Sequence, residues 1–389
     1  MTAAWKVPLA DVKVGEELLE AVHDAVASGW WSMGPRVHAF EEAFADFCEA
    51  EHAIAVANGT AALHLALLAV GCGPGDEVIV PSLNFVAAAN TICHVGSTPV
   101  FCDILGESDL TMDPGDVEAA IGPRTKAIVV LHYGGFACRM DEIDALARRH
   151  GLSIIEDAAH APGATYRGRR CGTLGDVGCF SFFSNKNLPV GEGGIIVTDN
   201  DDLARRLRLL RSHGMTTLTW DRHRGHAHGY DVVTAGFNYR LDEIRAAIGL
   251  VQLGRLPAEN DRRRQIAARY RDALHGRAGM TMPFDGDTAQ CTSSHHLAVL
   301  VLPSSVDRER VRSELQSSGI QTSLHYPPIH RFSYYARTQQ RTLPRTDDAG
   351  ARLVTLPLHS RLTEPQIEMV IDGVVAAVER VPFQSQRAH

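Results

Sequence analysis

Residues 179–194 read CFSFFSNKNLPVGEGG. The first part is an apolar, aromatic run of strand character; the last part is a glycine-rich loop; Lys186 lies between them. Lysine is scarce in this chain. Apart from Lys186 there are only Lys6, Lys13 and Lys126, and arginine supplies the rest of the basic charge. A guanidinium stays protonated, so arginine cannot stand in for lysine as an amine nucleophile. A partly desolvated lysine loses its proton more easily and can form a Schiff base with a carbonyl. A snorkelling surface lysine is the plain alternative for the stretch taken alone, and the neighbouring segments weigh against it.

On the N-terminal side of this stretch, strands and helices alternate. Ala53–Ala57 reads as a strand, followed by the turn Asn58-Gly59-Thr60 and a helix from Ala61 to Val70 that is apolar nearly all round. His64 is the polar member of that helix and reads as a satisfied core histidine. Strand, turn and helix N-terminus together form an anion site, because free backbone N–H groups and the helix dipole point at one spot. Strands follow at 77–80, 99–102, 127–131 and 152–155, the last ending in Glu156-Asp157, with helices at 84–95 and 140–149. Ile195–Thr198 and Leu203–Leu210 continue the alternation. The pattern predicts an α/β fold with a mainly parallel, doubly wound sheet, whose ligands collect at the carboxyl ends of the strands. Asp157 and the Asn58–Thr60 turn both fall at such ends. Ahead of this region, Val14, Leu18, Val22 and Val26 mark one amphipathic helix, and Val37, Phe40, Phe44 and Phe47 a second.

Residues 211–236 read as an irregular segment containing Arg222, His223, Arg224, His226 and His228. His226 and His228 lack a third ligand at helical spacing, so a basic loop facing an anionic substrate is favoured over a metal site. Helices are predicted over 241–253 and 258–274, with a domain boundary at Leu256-Pro257. This divides the chain into a large domain, 1–256, and a smaller α+β domain, 257–389. The arginines 262, 263, 264, 269 and 271 read as a solvated face. The small domain is expected to contain strands 296–302 and 320–324, a helix over 307–317, and a terminal helix opened by the capping box Thr363–Gln366.

Composition limits the alternatives. The net charge of −8 argues against a nucleic-acid binder. No apolar run has membrane-span length, and the N-terminus lacks a signal-peptide core. Eight scattered cysteines with no C-x-x-C pair suggest reduced thiols and a cytoplasmic home.

A lysine amine, a carboxylate at a strand end and an anion site at a helix N-terminus together describe a pyridoxal phosphate pocket. Lysine holds the aldehyde, a carboxylate beside the pyridine nitrogen keeps the ring an electron sink, and the helix N-terminus takes the phosphate. Phe85 is a candidate for stacking on the ring. The segments Gly34-Pro35, Asn58–Leu63, Pro81–Val86, Glu156–His160, Phe180–Phe182, Lys186 with Gly191–Gly194, Gly236–Glu243 and Tyr326–His330 follow in an order and spacing that resemble the DegT/DnrJ/StrS-type sugar aminotransferases. These belong to the fold-type I, aspartate aminotransferase-like, pyridoxal phosphate enzymes, and the resemblance covers nearly the whole chain. It implies that Lys186 binds the cofactor and moves the proton, that Asp157 meets the pyridine nitrogen, and that Phe85 and His160 flank the ring. It further implies that Gly59, Thr60 and Ser181 bind the phosphate, and that Asn238 reaches the cofactor of a neighbouring subunit, making the protein a homodimer. Asn58 stands where the family often has serine, and His160 where glutamine is common; both keep hydrogen-bonding capacity. A dehydratase branch carries histidine in place of the lysine, so Lys186 points to transamination. The expected reaction moves an amine from L-glutamate to a nucleotide-linked keto sugar, with Arg222 and Arg224 at the diphosphate and His330 at the acceptor pocket. A free keto-cyclitol acceptor, a dehydration, and a non-catalytic cofactor-binding regulator are the alternatives the residues leave open.

Overall fold

The computed structural model describes residues 5–217, 220, 229–288, 290–337 and 341–380. Seven strands form the principal sheet: β1 (His52–Val56), β2 (Glu77–Pro81), β3 (Thr98–Cys102), β4 (Thr125–Leu131), β5 (Ser153–Asp157), β6 (Val177–Ser181) and β7 (Gly194–Thr198). Their order is β1-β7-β6-β5-β4-β2-β3. Neighbours from β6 to β3 run parallel, and β7 alone is reversed, pairing antiparallel with both β1 and β6. Strands so placed are covered on both faces, which is why they read as unbroken runs of Val, Ile and Leu. Along β2, Val78 and Val80 face one layer and Ile79 the other, the two-residue alternation of a strand.

One layer consists of α3 (Gly59–Ala69), α4 (Ala87–His94) and α7 (Asp201–Arg211). Helix α3 is buried along almost its whole length, and His64 is a core histidine with Nδ1 3.2 Å from the Tyr239 hydroxyl. The other layer contains α2 (Pro35–Cys48), α5 (Pro114–Ala120), α6 (Met140–His150) and the first half of α8 (Glu243–Leu274). Here Phe40 and Phe44 meet Phe180 and Phe182 edge-on, at ring separations of 5.0 to 5.5 Å. Helix α1 (Glu16–Ala27) lies along α8.

Two buried carboxylates lock the layers. Glu243 accepts the Arg36 and Val37 N–H groups, each at 3.0 Å, and so caps α2 from the start of α8. Glu41 accepts the Ala55 N–H at 2.8 Å and pairs with Arg211, whose guanidinium also donates to the Ala55 carbonyl at 3.0 Å. Burial acts to raise the Glu41 pKa, but Arg211, His38 and the Ala55 N–H outweigh it and hold the carboxyl below its ordinary value.

The small domain is built on the antiparallel pair β8 (Ala298–Val301) and β9 (Leu353–Leu356), covered by α9 (Arg308–Ser317) and α11 (Glu364–Glu379). Thr363 and Gln366 form the expected capping box. Three expectations are corrected here. The partner of β8 is β9, whereas residues 320–324 make only isolated bridges, Ile320 to Val7 and Ser323 to Thr355. The two helices expected over 241–253 and 258–274 are one, α8, a single 32-residue helix with Pro257 in its interior. Proline removes one ladder bond, and the helix continues because Leu256 packs in the large core while Ile266, Tyr270 and Leu274 pack in the small one. Val7, fully buried, joins the small-domain core through backbone bonds with Gly319 and Gln321. Arg263, read as solvated, is buried and lies 3.6 Å from Glu259.

Removing Glu41 strands the Arg211 guanidinium in the core. Glu41→Ala should destabilise the protein by about 3–5 kcal/mol in urea denaturation, the cost of an uncompensated buried charge. Because the folded-state pKa is lowered, the wild-type contribution should be present above the ordinary carboxylate pKa and fade as pH falls through the lower folded value.

Candidate active site

The carboxyl ends of the parallel strands converge on a cavity of about 410 Å³. Gly59, Thr60, Phe85, Asp157, His160, Ser181 and Lys186 all line it. A larger surface groove, about 840 Å³, runs between α2 and α7, but it is lined mainly by carboxylates and arginines and contains no lysine.

Alternation along the strands sets which side chains enter the cavity. In β6 and just beyond it, Phe180 and Phe182 point into the aromatic core, so Ser181 and Phe183 point the other way. In β5, Asp157 enters the cavity and Glu156 turns away. Glu156 is fully buried, with its carboxylate accepting the N–H groups of Gly172, Leu174 and Gly175, each at 2.6 Å. His132 Nε2 lies 2.7 Å from the same carboxylate. Cys138 N–H donates to His132 Nδ1, so the hydrogen sits on Nε2 and points at Glu156.

Lys186 occupies the loop between the antiparallel strands β6 and β7, in a turn closed by its own N–H to the Phe183 carbonyl at 2.8 Å. Burial pulls its amine down to a pKa of about 8, and the Asp157 charge opposes that pull. Asp157 moves the other way: burial raises its pKa, while Lys186, the Ala159 N–H, Asn84 and His132 hold it back.

His160 accepts the Gly134 N–H on Nδ1 at 3.3 Å and therefore carries its hydrogen on Nε2, which lies 2.8 Å from the Tyr326 hydroxyl. Burial first, and then the Lys186 charge, push the His160 pKa well below its ordinary value. His325 is held at about 4 by the same two influences. The imidazoles around the amine are thus neutral at neutral pH.

The helix N-terminus at this cavity has spare donors. Asn58 caps α3 through Oδ1, which accepts only the Ala61 N–H at 2.8 Å, and the first helical bond runs from Ala62 N–H to the Asn58 carbonyl at 3.1 Å. The Gly59 and Thr60 N–H groups precede that ladder, and no acceptor takes them among the described residues. Glycine is required there: a Cβ on Gly59 would lie 2.8 Å from the Ser181 Cβ, and one on Gly194 would lie 2.6 Å from the Asn58 carbonyl carbon. Asn84 adds a buried Nδ2 with no partner of hydrogen-bond geometry, although it lies beside Asp157. A reactive amine, a buried carboxylate, unspent N–H groups at a helix head and the half-exposed ring of Phe85 fit pyridoxal phosphate.

Other expected site residues lie elsewhere. His330, expected at the acceptor pocket, does not line this cavity. It is buried with Nδ1 2.7 Å from the Ser82 hydroxyl and Nε2 3.0 Å from Asp347, and it tethers its segment to the end of β2. Tyr326 and His325 of the same segment do line the cavity. Asn238 is exposed, away from this cavity, on a segment paired with Ser212. Arg222, Arg224, His226 and His228 lie outside the described residues, and no metal-binding cluster occurs among the described ones.

This is the architecture of a pyridoxal phosphate-dependent transferase of fold type I. The chain matches the DegT/DnrJ/EryC1/StrS aminotransferase family over residues 12–375 and belongs to it. It is 42% identical to the spore coat polysaccharide biosynthesis protein SpsC of Bacillus subtilis, over 93% of this chain and 94% of that protein. DesV of S. venezuelae superposes with a TM-score of 0.88 at 38% identity, covering 97% of this chain and 100% of that one. Spr1654 of Streptococcus pneumoniae, described as a sugar aminotransferase and solved in its pyridoxamine phosphate form, gives 0.90 at 28% identity over 96% and 99%. The protein is a sugar aminotransferase that uses pyridoxal phosphate.

Gly59→Ala should weaken binding of pyridoxal phosphate about tenfold or more by fluorescence titration, since the Cβ pushes the helix head off Ser181. In the cofactor-free protein, labelling of Lys186 by an amine-specific reagent should rise with pH through a midpoint near 8, because the neutral amine is the reactive form.

Proposed function

We propose that this enzyme transfers the amino group of L-glutamate to the keto group of a nucleotide-linked sugar, working in the cytoplasm as a homodimer. The observation that supports this reading most is the half-buried Lys186 amine beside Asp157 in the strand-end cavity. The names of the relatives, among them spore coat polysaccharide biosynthesis and pseudoaminic acid biosynthesis, suggest sugars as the acceptor class.

Pyridoxal phosphate supplies an aldehyde that takes up amino groups and a ring that accepts the electron pair of a breaking C–H bond. The chain does the rest. The Gly59 and Thr60 N–H groups and the Ser181 hydroxyl would hold the phosphate, with α3 adding its dipole. Asp157 would hold the ring nitrogen and keep it protonated. Phe85 and His160 would flank the ring, and a neutral His160 would add no positive charge against it. Lys186 Nζ takes the proton from the α-carbon of the donor in the first half-reaction. In the second it delivers a proton to the sugar carbon that receives nitrogen. An amine with a pKa of about 8 serves as base and acid near neutral pH. Asn238, exposed on its own subunit, is assigned to the neighbouring cofactor. Arg222 and Arg224 are assigned to the diphosphate on the chemistry of their side chains.

Lys186→Arg should lower turnover by roughly 10²–10⁴-fold or more, because arginine stays protonated. Adding L-glutamate to the wild-type holoenzyme should replace the visible absorption band of the cofactor with the near-ultraviolet band of its amine form. Incubating the product with keto sugars, nucleotide-linked and free, and with a keto-cyclitol then tests the acceptor. Restoration of the visible band by the cyclitol alone would remove the nucleotide sugar from this reading.

A further inference from the structure

Asn187 follows Lys186 and is buried, 3% exposed. Its amide is used completely. Nδ2 donates to the Ser294 carbonyl at 2.8 Å and to Asn260 Oδ1 at 2.9 Å, and Oδ1 lies 2.9 Å from His296 Nδ1. The Ser294 carbonyl can only accept, which fixes the amide orientation and places the hydrogen of His296 on Nδ1.

The partners of Asn187 are themselves tied to the other cavity residues. Asn260, on α8, donates through Nδ2 to the Pro162 carbonyl at 2.9 Å, in the turn that follows Asp157 and His160. Ser294 donates its hydroxyl to the His160 carbonyl at 2.5 Å. His296 donates its backbone N–H to the Gly134 carbonyl at 2.9 Å, and the Gly134 N–H orients the His160 ring. One side chain therefore joins the lysine loop to α8, to the entry of the small domain and to the His160 turn.

We infer that Asn187 is a positioning residue: through Asn260, Ser294 and His296 it clamps the lysine loop so that the Lys186 amine stays seated in the cavity. The adjacent residues Phe183, Ser184 and Asn185 are exposed, so the loop has little burial of its own on that side. The inference rests on Lys186 being the reactive amine, and it does not depend on which acceptor the enzyme uses.

The test uses the full-length protein freed of cofactor, with Lys186 labelling followed by peptide mass spectrometry across pH. Wild type should give a midpoint near 8. In Asn187→Ala the loosened amine gains water, and the midpoint should rise by about one unit or more toward the ordinary lysine value. His296→Asn places an amide N–H near the position of Nδ1 and should leave the midpoint within about 0.3 units of wild type, whereas His296→Ala should raise it. With cofactor bound, Asn187→Ala should lower kcat about tenfold or more and leave KM for the donor within about twofold. An unchanged midpoint in folded Asn187→Ala overturns the inference. If that variant does not fold, the two His296 variants decide it, and equal midpoints in them overturn it as well. Failure of every sugar to accept the amine, with the midpoints shifted as described, would refute the acceptor and leave the clamp standing.

Discussion

An amine and a carboxylate share one cavity at the edge of a buried parallel sheet, and each limits what burial does to the other. Desolvation alone would drive the Lys186 amine further down and the Asp157 carboxyl further up. Their mutual attraction leaves the amine within reach of neutral pH. The arrangement works only if other positive charges stay away. His160, His296 and His325 are therefore neutral, and no arginine lines the cavity among the described residues.

The head of α3 meets the opposite requirement. Donors there are kept unspent for an anion, and water can reach them because Gly59 is half-buried and Thr60 exposed. Asn58 spends its side chain on Ala61 alone, and Gly59 and Gly194 let the helix head lie against the ends of β6 and β7. Two buried carboxylates, by contrast, meet several donors each. Glu156 gathers three N–H groups and an imidazole, and Glu243 caps α2. Rigid satisfaction around the site and open donors inside it together make a preorganised anion seat.

The small domain closes the site. His325 and Tyr326 come from the chain between α9 and β9, and the Tyr326 hydroxyl meets His160. The Tyr133 hydroxyl donates to the His325 carbonyl, tying this segment to the end of β4. Helix α8 runs unbroken from one core to the other, and Asn260 on it bonds Asn187 of the lysine loop.

Local periodicity was enough to read the alternating strands and helices, the strand-end position of Asp157, the glycine turn before α3 and the lysine after an aromatic strand. These features are written in nearest-neighbour chemistry: two-residue alternation, turn residues and an amine that arginine cannot imitate. Tertiary packing decided the rest, because each remaining point depends on which distant group arrives as a partner. It buried Arg263 near Glu259. It engaged both nitrogens of His330 with Ser82 and Asp347, leaving Tyr326 to face the cavity. It paired β8 with β9 and carried α8 through Pro257. It also gave Asn187, unremarkable beside Lys186 in the sequence, three partners far along the chain. A hydrogen bond between residues a hundred positions apart leaves no local pattern, and only the folded chain brings its two ends together.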